Sequence, residues 1–516
     1  MENLVHKYLT DHVEKYGNRT LVTEKENNYT FEELETMSNQ MANYLKEWNV
    51  KRYDRVCLIM DSTINALVTI LGVMKLGAIF VPISVAANPA KVKKICMQTT
   101  PRLIVCDEKY VTQEMTGWGY KMIINGSSRY GDGDHVLGNY RSFSGNRINS
   151  RVLSKDILYI MFTSGTTGEP KGVMISHESV CTFMDYVVKK FDHNESTCTL
   201  AKTPISFDPY LTEIVPSFIG GGRVVLFSST YSINSFFKII QKEKISNFGC
   251  GPSLLRLMLK NRNFFHKYDV SSLQEIYFGY ENCPIWVIRE LQELMPGTKF
   301  INGYGTTETY ASSTFHIVED LKNKNITDMP IGDPIDGTEL LVMKENRRAK
   351  AGEVGELVVR GTSLMNGYWK NERDTALVMR NHPEFPLSQE KVYYTGDLVK
   401  LGDKGDITFV GRMDEQIKIN GYRVELLEIE KLVESFEGVH ECAVIFIEDD
   451  NINRLICFYS SKHPFAVKDL KDMCSRELEH YKVPNEWVEV EELPHNHNSK
   501  LDKRELQRYY IEKIRD

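Results

Sequence analysis

Between Tyr29 and Gly77 the chain changes its hydrophobic period twice, and few folds accommodate that order. In YTFEELETMSNQMANYLKEWNV, apolar residues recur at Phe31, Leu34, Met37, Met41 and Leu45, spacings of three and four that put them on one face of a helix. RVCLIM follows as the short unbroken apolar run of a strand, and TINALVTILGVMKLG returns to a helical pattern. Helices alternating with short strands predict α/β layers.

With 516 residues, 42% of them hydrophobic and 10% aromatic, the chain can fill several sizeable cores. Lys and Arg total 63 against 70 Asp and Glu, a net charge of -7 without charge blocks, which argues against nucleic acid as a partner. The N-terminal MENLVHKYLTDHVEKYG has no apolar signal core. The most apolar stretch, Val56 to Ile83, is interrupted by Asp61 and Lys75, so neither export nor a membrane span is expected. Ten Cys at scattered positions without C-x-x-C pairs fit reduced core thiols and a cytoplasmic setting. Ser228 to Ser235 and Lys322 to Asp328 are polar and loop-like, and after Asp414 strand and helix patterns alternate in a compact tail. The best domain cut therefore falls at Arg412 to Asp414.

YIMFTSGTTGEPKGVMIS sets a strand-like run, Ile157 to Phe162, against a loop of three Thr, one Ser and two Gly from Thr163 to Gly168. Glycines let a backbone approach an anion closely, amides and hydroxyls donate to it, and Lys171 adds a point charge. Phosphate suits such a loop; a solvated Gly/Ser/Thr turn is the alternative. It is not a Walker P-loop, since Glu169 follows Gly168 and Gly172 follows Lys171.

Further stretches are SFDPYLTE (206–213), INGYGTTET (301–309), YYTGDL (393–398), GRMDEQIKINGYRVELLEIE (411–430) and NSKLDKREL (498–506). Their order and spacing resemble the adenylate-forming enzymes, above all the amino-acid-activating domains of peptide synthetases and the stand-alone D-alanine:carrier-protein ligases. The resemblance covers nearly the whole chain. It implies an α/β fold: a large N-terminal domain of stacked β-sheets with flanking helices, residues 1–412, and a small mobile α+β C-terminal lid, residues 413–516, with the active site between them.

The same resemblance implies ATP and Mg²⁺. Thr163, Ser164, Gly165, Thr166, Thr167, Gly168 and Lys171 would fold around the triphosphate, Tyr304 would stack on adenine, Asn302 would face its amino group, and Asp397 with Arg412 would hold the ribose. Thr307 would meet the α-phosphate and Glu308 the metal, since Mg²⁺ favours one carboxylate plus phosphates. Asp208, a carboxylate in an apolar segment, matches the position that meets the α-ammonium of an amino acid; capping of the following segment is the other reading. Phe207 resembles the aromatic gate of the pocket. Pro209, Thr212, Gly249, Ile276, Phe278, Gly303, Ala311 and Ser312 correspond to the rest of the pocket and favour a medium or large hydrophobic side chain over D-alanine.

Lys500 matches the catalytic lysine, which would stabilise charge on the transferring groups, with Lys503 and Arg504 close by. Asp414 matches the hinge. Three departures stand out: Ser499 where Gly is usual, Thr306 where Pro is usual, and Gly279–Tyr280 in place of a Gly-Gly or Cys-Gly pair before Glu281. The implied reaction is ATP-dependent formation of an aminoacyl adenylate and its transfer to a phosphopantetheine thiol. KINGYRVELLEIE resembles carrier-linked members, and the absence of an LGGxS-type site implies a separate carrier protein. An acyl- or aryl-CoA ligase would keep every nucleotide motif, and a non-catalytic nucleotide-binding relative would keep the fold.

Overall fold

The computed structural model describes residues 3–126, 136–163, 169–227, 232–279, 281, 283–321, 328–345, 347–385, 387, 389–413, 416–419, 422–448, 453–461, 463–495 and 501–513. The chain divides into two compact units: Met1–Val85, Ile95–Phe162 and Gly172–Met413 in the first, Ala86–Lys94, Thr163–Lys171 and Asp414–Asp516 in the second.

The first unit holds a nine-stranded sheet ordered Asp333–Pro334, Thr314–Ile317, Lys299–Tyr304, Glu275–Gly279, Asn247–Cys250, Cys198–Ala201, Arg223–Leu226, Thr20–Glu24, Asn27–Thr30. Its strands from Lys299–Tyr304 to Thr20–Glu24 are parallel, with antiparallel neighbours at the margins. A parallel sheet must be covered on both faces, and two cores do this. One joins Val22 and Val224 to Val56, Leu58 and Leu103 of a six-stranded sheet and to Leu357 and Tyr393 of an antiparallel third sheet. The other gathers Phe236, Phe248, Ile276, Phe278 and Phe300 against helices Pro252–Lys260 and Ile285–Leu294. The six-stranded sheet runs Met122–Asn125, Leu103–Asp107, Arg55–Ile59, Ile79–Pro82, Ile157–Thr163, Lys171–Ser176, so the phosphate-type loop joins its last two strands.

Local sequence explains several elements. Helix Phe31–Glu47 opens with a capping box, in which Glu33 N donates to Thr30 Oγ1 at 3.1 Å and Thr30 N to Glu33 Oε2 at 2.8 Å. Helix Ile64–Lys75 is apolar around nearly its whole circumference and correspondingly buried. Its one ammonium, Lys75, donates to Glu35 and Asn39 at 2.7 Å each, the pairing that buried charge requires. Of the stretch expected as a loop from Ser228 to Ser235, residues 228–231 lie outside the described residues, while Ser232 caps helix Ile233–Glu243 in a box with Ser235.

The second unit is α+β. A ribbon, Gln416–Ile419 with Tyr422–Glu425, leads to helix Leu426–Glu434; a three-stranded sheet of Val439–Glu448, Asn453–Ser461 and Glu486–Glu489 follows, with helices Val467–Glu477 and Lys503–Lys513. All ten cysteines of the chain are buried, and none forms a disulfide. Among the described residues no helix is long and apolar enough to cross a membrane.

Candidate functional site

In the first unit, strand Lys299–Tyr304 delivers Asn302, Gly303 and Tyr304, and a single 3₁₀ turn, Thr307–Thr309, follows. Asn302 Nδ2 donates to the Pro330 carbonyl at 2.8 Å. Tyr304 Oη donates to the Asp397 carboxylate. Burial, followed by the Asp397 charge, holds the Tyr304 phenol far above its ordinary range, so it remains a donor. Asp397 and Arg412 are register partners on paired antiparallel strands. That pairing puts Arg412 Nη1 2.6 Å from Asp397 Oδ1 and 2.9 Å from the Thr395 carbonyl. The three residues expected around a nucleoside, Tyr304, Asp397 and Arg412, thus form one connected group, with Asp397 only 3% exposed.

Glu308 has no solvent exposure. Tyr368 Oη donates to its Oε1 at 2.9 Å, and the Met365 amide donates to its carbonyl at 2.8 Å. The turn begins at Thr307, beside the carboxylate in sequence. Oxygen donors of this kind suit a hard divalent cation, and the residues present fit Mg²⁺. Among the described residues no group of three or more His, Cys, Asp or Glu could hold a metal by itself.

Asp208 precedes the short helix Pro209–Thr212, with Pro209 in the first helical position, where its missing N–H costs nothing. The Asp208 side chain makes no capping bond to that helix. Its charge acts on Tyr159, whose phenol is pushed well up by burial, Tyr310 and Asp208, in that order. The rings of Tyr159 and Tyr310 lie 6.4 Å apart. Tyr310 and Ala311 both take positive φ, 52° and 56°, which turns the chain back into strand Thr314–Ile317. The turn brings Ser312 beside Gly303, where an added Cβ would lie 2.9 Å from Ser312 Oγ.

Sheet register then sorts the remaining pocket candidates, because paired residues share a face. Gly249 pairs with Tyr277, Gly279 with Gly303, and Gly303 with Phe315. Ile276 pairs with Phe300 and Phe278 with Asn302, and both side chains belong to the second core. Gly303 therefore shares its face with Gly249, Tyr277 and Gly279, while the expected Ile276 and Phe278 face the other way. Tyr277 and Gly279 lie on the Gly303 face. The Tyr277 hydroxyl donates to Glu275 Oε2 at 2.7 Å, and its ring packs edge-on to Phe191 at 5.1 Å.

Ser164, Gly165, Thr166, Thr167, Gly168, Asp414 and Lys500 lie outside the described residues. Thr163 ends one strand and Lys171 begins the next. In the second unit Lys503 forms an ion pair with Glu430, Nζ to Oε1 2.7 Å.

The AMP-binding enzyme family matches residues 9–369, and the AMP-binding enzyme C-terminal domain matches residues 428–500. Gramicidin S synthase 2 of Brevibacillus brevis is 28% identical over 98% of this chain, which spans 11% of that relative's length. Two solved structures share the fold. One is holo-PA1221, a peptide-synthetase protein containing adenylation and PCP domains, with 22% identity, coverage of 98% of this chain and 84% of that one, and a TM-score of 0.83. The other is the o-succinylbenzoate CoA synthetase MenE of Bacillus subtilis, with 20% identity, 98% of each chain covered, and a TM-score of 0.85. With a two-unit α/β architecture and a family match across most of its length, the chain belongs to the AMP-binding enzymes of the adenylate-forming superfamily.

Proposed function

We propose that this enzyme activates an amino acid with ATP and passes it to the phosphopantetheine thiol of a separate carrier protein. The observation that carries the amino acid assignment is Asp208: a carboxylate in an apolar segment, not used as a helix cap, acting on Tyr159. An α-ammonium would complement it, which an acyl or aryl acid does not provide. Asp208 with Phe207, Pro209, Thr212, Gly249, Gly303, Ala311 and Ser312, joined by Tyr277 and Gly279, would form the amino acid pocket. The open space over Gly249 leaves room for a medium or large hydrophobic side chain.

The substrate carboxylate attacks the α-phosphate of ATP and pyrophosphate leaves; the carrier thiol then takes the aminoacyl group from AMP. Asp397 and Arg412 hold the ribose, Asn302 and Tyr304 the adenine, and Thr163 to Gly168 with Lys171 the phosphates. Thr307 meets the α-phosphate, and Lys500 stabilises charge growing at phosphorus. Mg²⁺, held by Glu308, would neutralise phosphate charge when bound. Residues 413–516 act as the lid and Asp414 as its hinge. The carrier step is supported by the likeness of KINGYRVELLEIE to carrier-linked members and by the PCP domain named for PA1221.

The CoA ligase reading is favoured by the likeness to MenE. Pyrophosphate exchange over a panel of L- and D-amino acids, followed by product assays with CoA or a holo-carrier as acceptor, separates the two. Exchange with carboxylic acids alone, or acyl-CoA as the sole product, would overturn the proposal.

A further inference from the structure

Residues 364–369 of SLMNGYWK form an irregular segment stitched to two places at once. Its Met365 amide donates to the Glu308 carbonyl at 2.8 Å, and the Tyr368 hydroxyl to Glu308 Oε1 at 2.9 Å. On the other side, Asn366 N donates to Met174 O at 2.8 Å, Met174 N to Gly367 O at 3.0 Å and Trp369 N to Gly172 O at 2.7 Å. Those partners belong to the strand that follows the Gly/Ser/Thr loop. Ser179 Oγ donates to the Leu364 carbonyl at 3.2 Å, and Gly367, at φ 113°, makes the turn that a side chain would resist. Tyr368 itself is 6% exposed and bonded through its amide to Thr375 Oγ1 at 2.9 Å.

The geometry points to Tyr368 as the positioning residue for Glu308: its hydroxyl fixes one carboxylate oxygen, so that the carboxylate is held in one orientation toward a divalent cation. The inference rests on the reading of Glu308 as the Mg²⁺ ligand. A neutral donor anchored on both sides can restrain a carboxylate without competing for its charge, and hydrogen-bonded partners of metal ligands typically govern metal affinity by about 10- to 100-fold.

Tyr368→Phe removes only the hydroxyl. In the full chain with a non-hydrolysable ATP analogue, Mn²⁺ affinity measured by electron paramagnetic resonance should fall by about 10- to 100-fold, while metal-free analogue affinity stays unchanged. In the Glu308→Gln background the same substitution should have no further effect. If Glu308→Gln weakens Mn²⁺ binding and Tyr368→Phe does not, Tyr368 is not the positioning residue and the metal assignment stands. If neither substitution weakens it, the Glu308 assignment fails and this inference with it. A full-sized effect of Tyr368→Phe in the Glu308→Gln background, or a lowered melting temperature with intact Mn²⁺ affinity, would also overturn it.

Discussion

The glycine row on the nine-stranded sheet yields a contrast between two chemically identical substitutions. A Cβ built on Gly249 meets nothing nearer than Glu213 Oε1 at 3.9 Å, whereas one on Gly279 would lie 2.2 Å from the Gly303 carbonyl oxygen. Gly249→Ala should therefore fold as well as the parent, or slightly better, since alanine lowers the entropy of the unfolded chain by about 0.4–1 kcal/mol. Its methyl would stand in the proposed side-chain space. One methylene of mismatch in an apolar pocket is worth about 1–3 kcal/mol, or roughly 10- to 200-fold in kcat/KM. The loss should fall on the amino acid that fills the space and spare smaller ones. Gly279→Ala instead forces apart two hydrogen-bonded strands, an overpacking cost of about 1–3 kcal/mol. Urea unfolding of both variants, with pyrophosphate exchange across aliphatic and aromatic amino acids of graded size, reads the two effects separately. The face assignment is refuted if Gly249→Ala changes all substrates equally or none, or if Gly279→Ala is as stable as the parent.

Asp208→Ala should weaken amino acid activation while retaining ATP binding; losing a charge-assisted bond at this half-buried carboxylate costs about 1.5–3 kcal/mol, roughly a ten- to hundred-fold loss in the substrate term, and unchanged amino acid dependence of exchange would contradict it. Lys500→Ala should reduce pyrophosphate exchange by about a hundred- to a thousand-fold yet still pass presynthesised aminoacyl adenylate to the carrier. Lys503→Ala should spare exchange and lower the stability of the C-terminal unit, because its partner is the buried Glu430; the reverse pattern would move the catalytic role to Lys503. Burial holds His177 and His193 down at about 4 each, whereas the unfolded chain protonates them near 6.5. The unfolded state then binds more protons between those values, so stability should fall as pH drops from about 6.5 to about 4. Urea midpoints over this range should show a shallower fall for His177→Gln than for the parent, and equal slopes would refute the His177 contribution.

The helix from Phe31 was legible because its apolar spacing and its Thr30–Glu33 box both lie in one short stretch of sequence. Asp397 and Arg412 were legible as residue types, but their pairing depends on strand register, which sequence does not display. The face taken by Ile276 and Phe278 is likewise set by strand register. EIYFG belongs to a strand covered on both faces, so its apolar run carries no alternation from which to read the phase, and a shift of one residue turns every side chain over. The helix start at Ile233 was hidden for a different reason, since serine serves equally as loop filler and as helix cap. Tyr368 was passed over because its partner, Glu308, lies 60 residues away in sequence.

The buried thiols give the molecule a set of internal clocks. Cys57, Cys96, Cys106, Cys181, Cys198, Cys250 and Cys283 report on the first unit, and Cys442, Cys457 and Cys474 on the second. Burial pushes the thiols of Cys106, Cys181, Cys250 and Cys474 up to about 12, so a thiol reagent at neutral pH must wait for the surrounding structure to open before it finds thiolate. The labelling rate of each cysteine thus converts into a local opening free energy. Adding ATP, an amino acid or a carrier to the unmodified protein would reveal, residue by residue, which part of the chain each one stabilises.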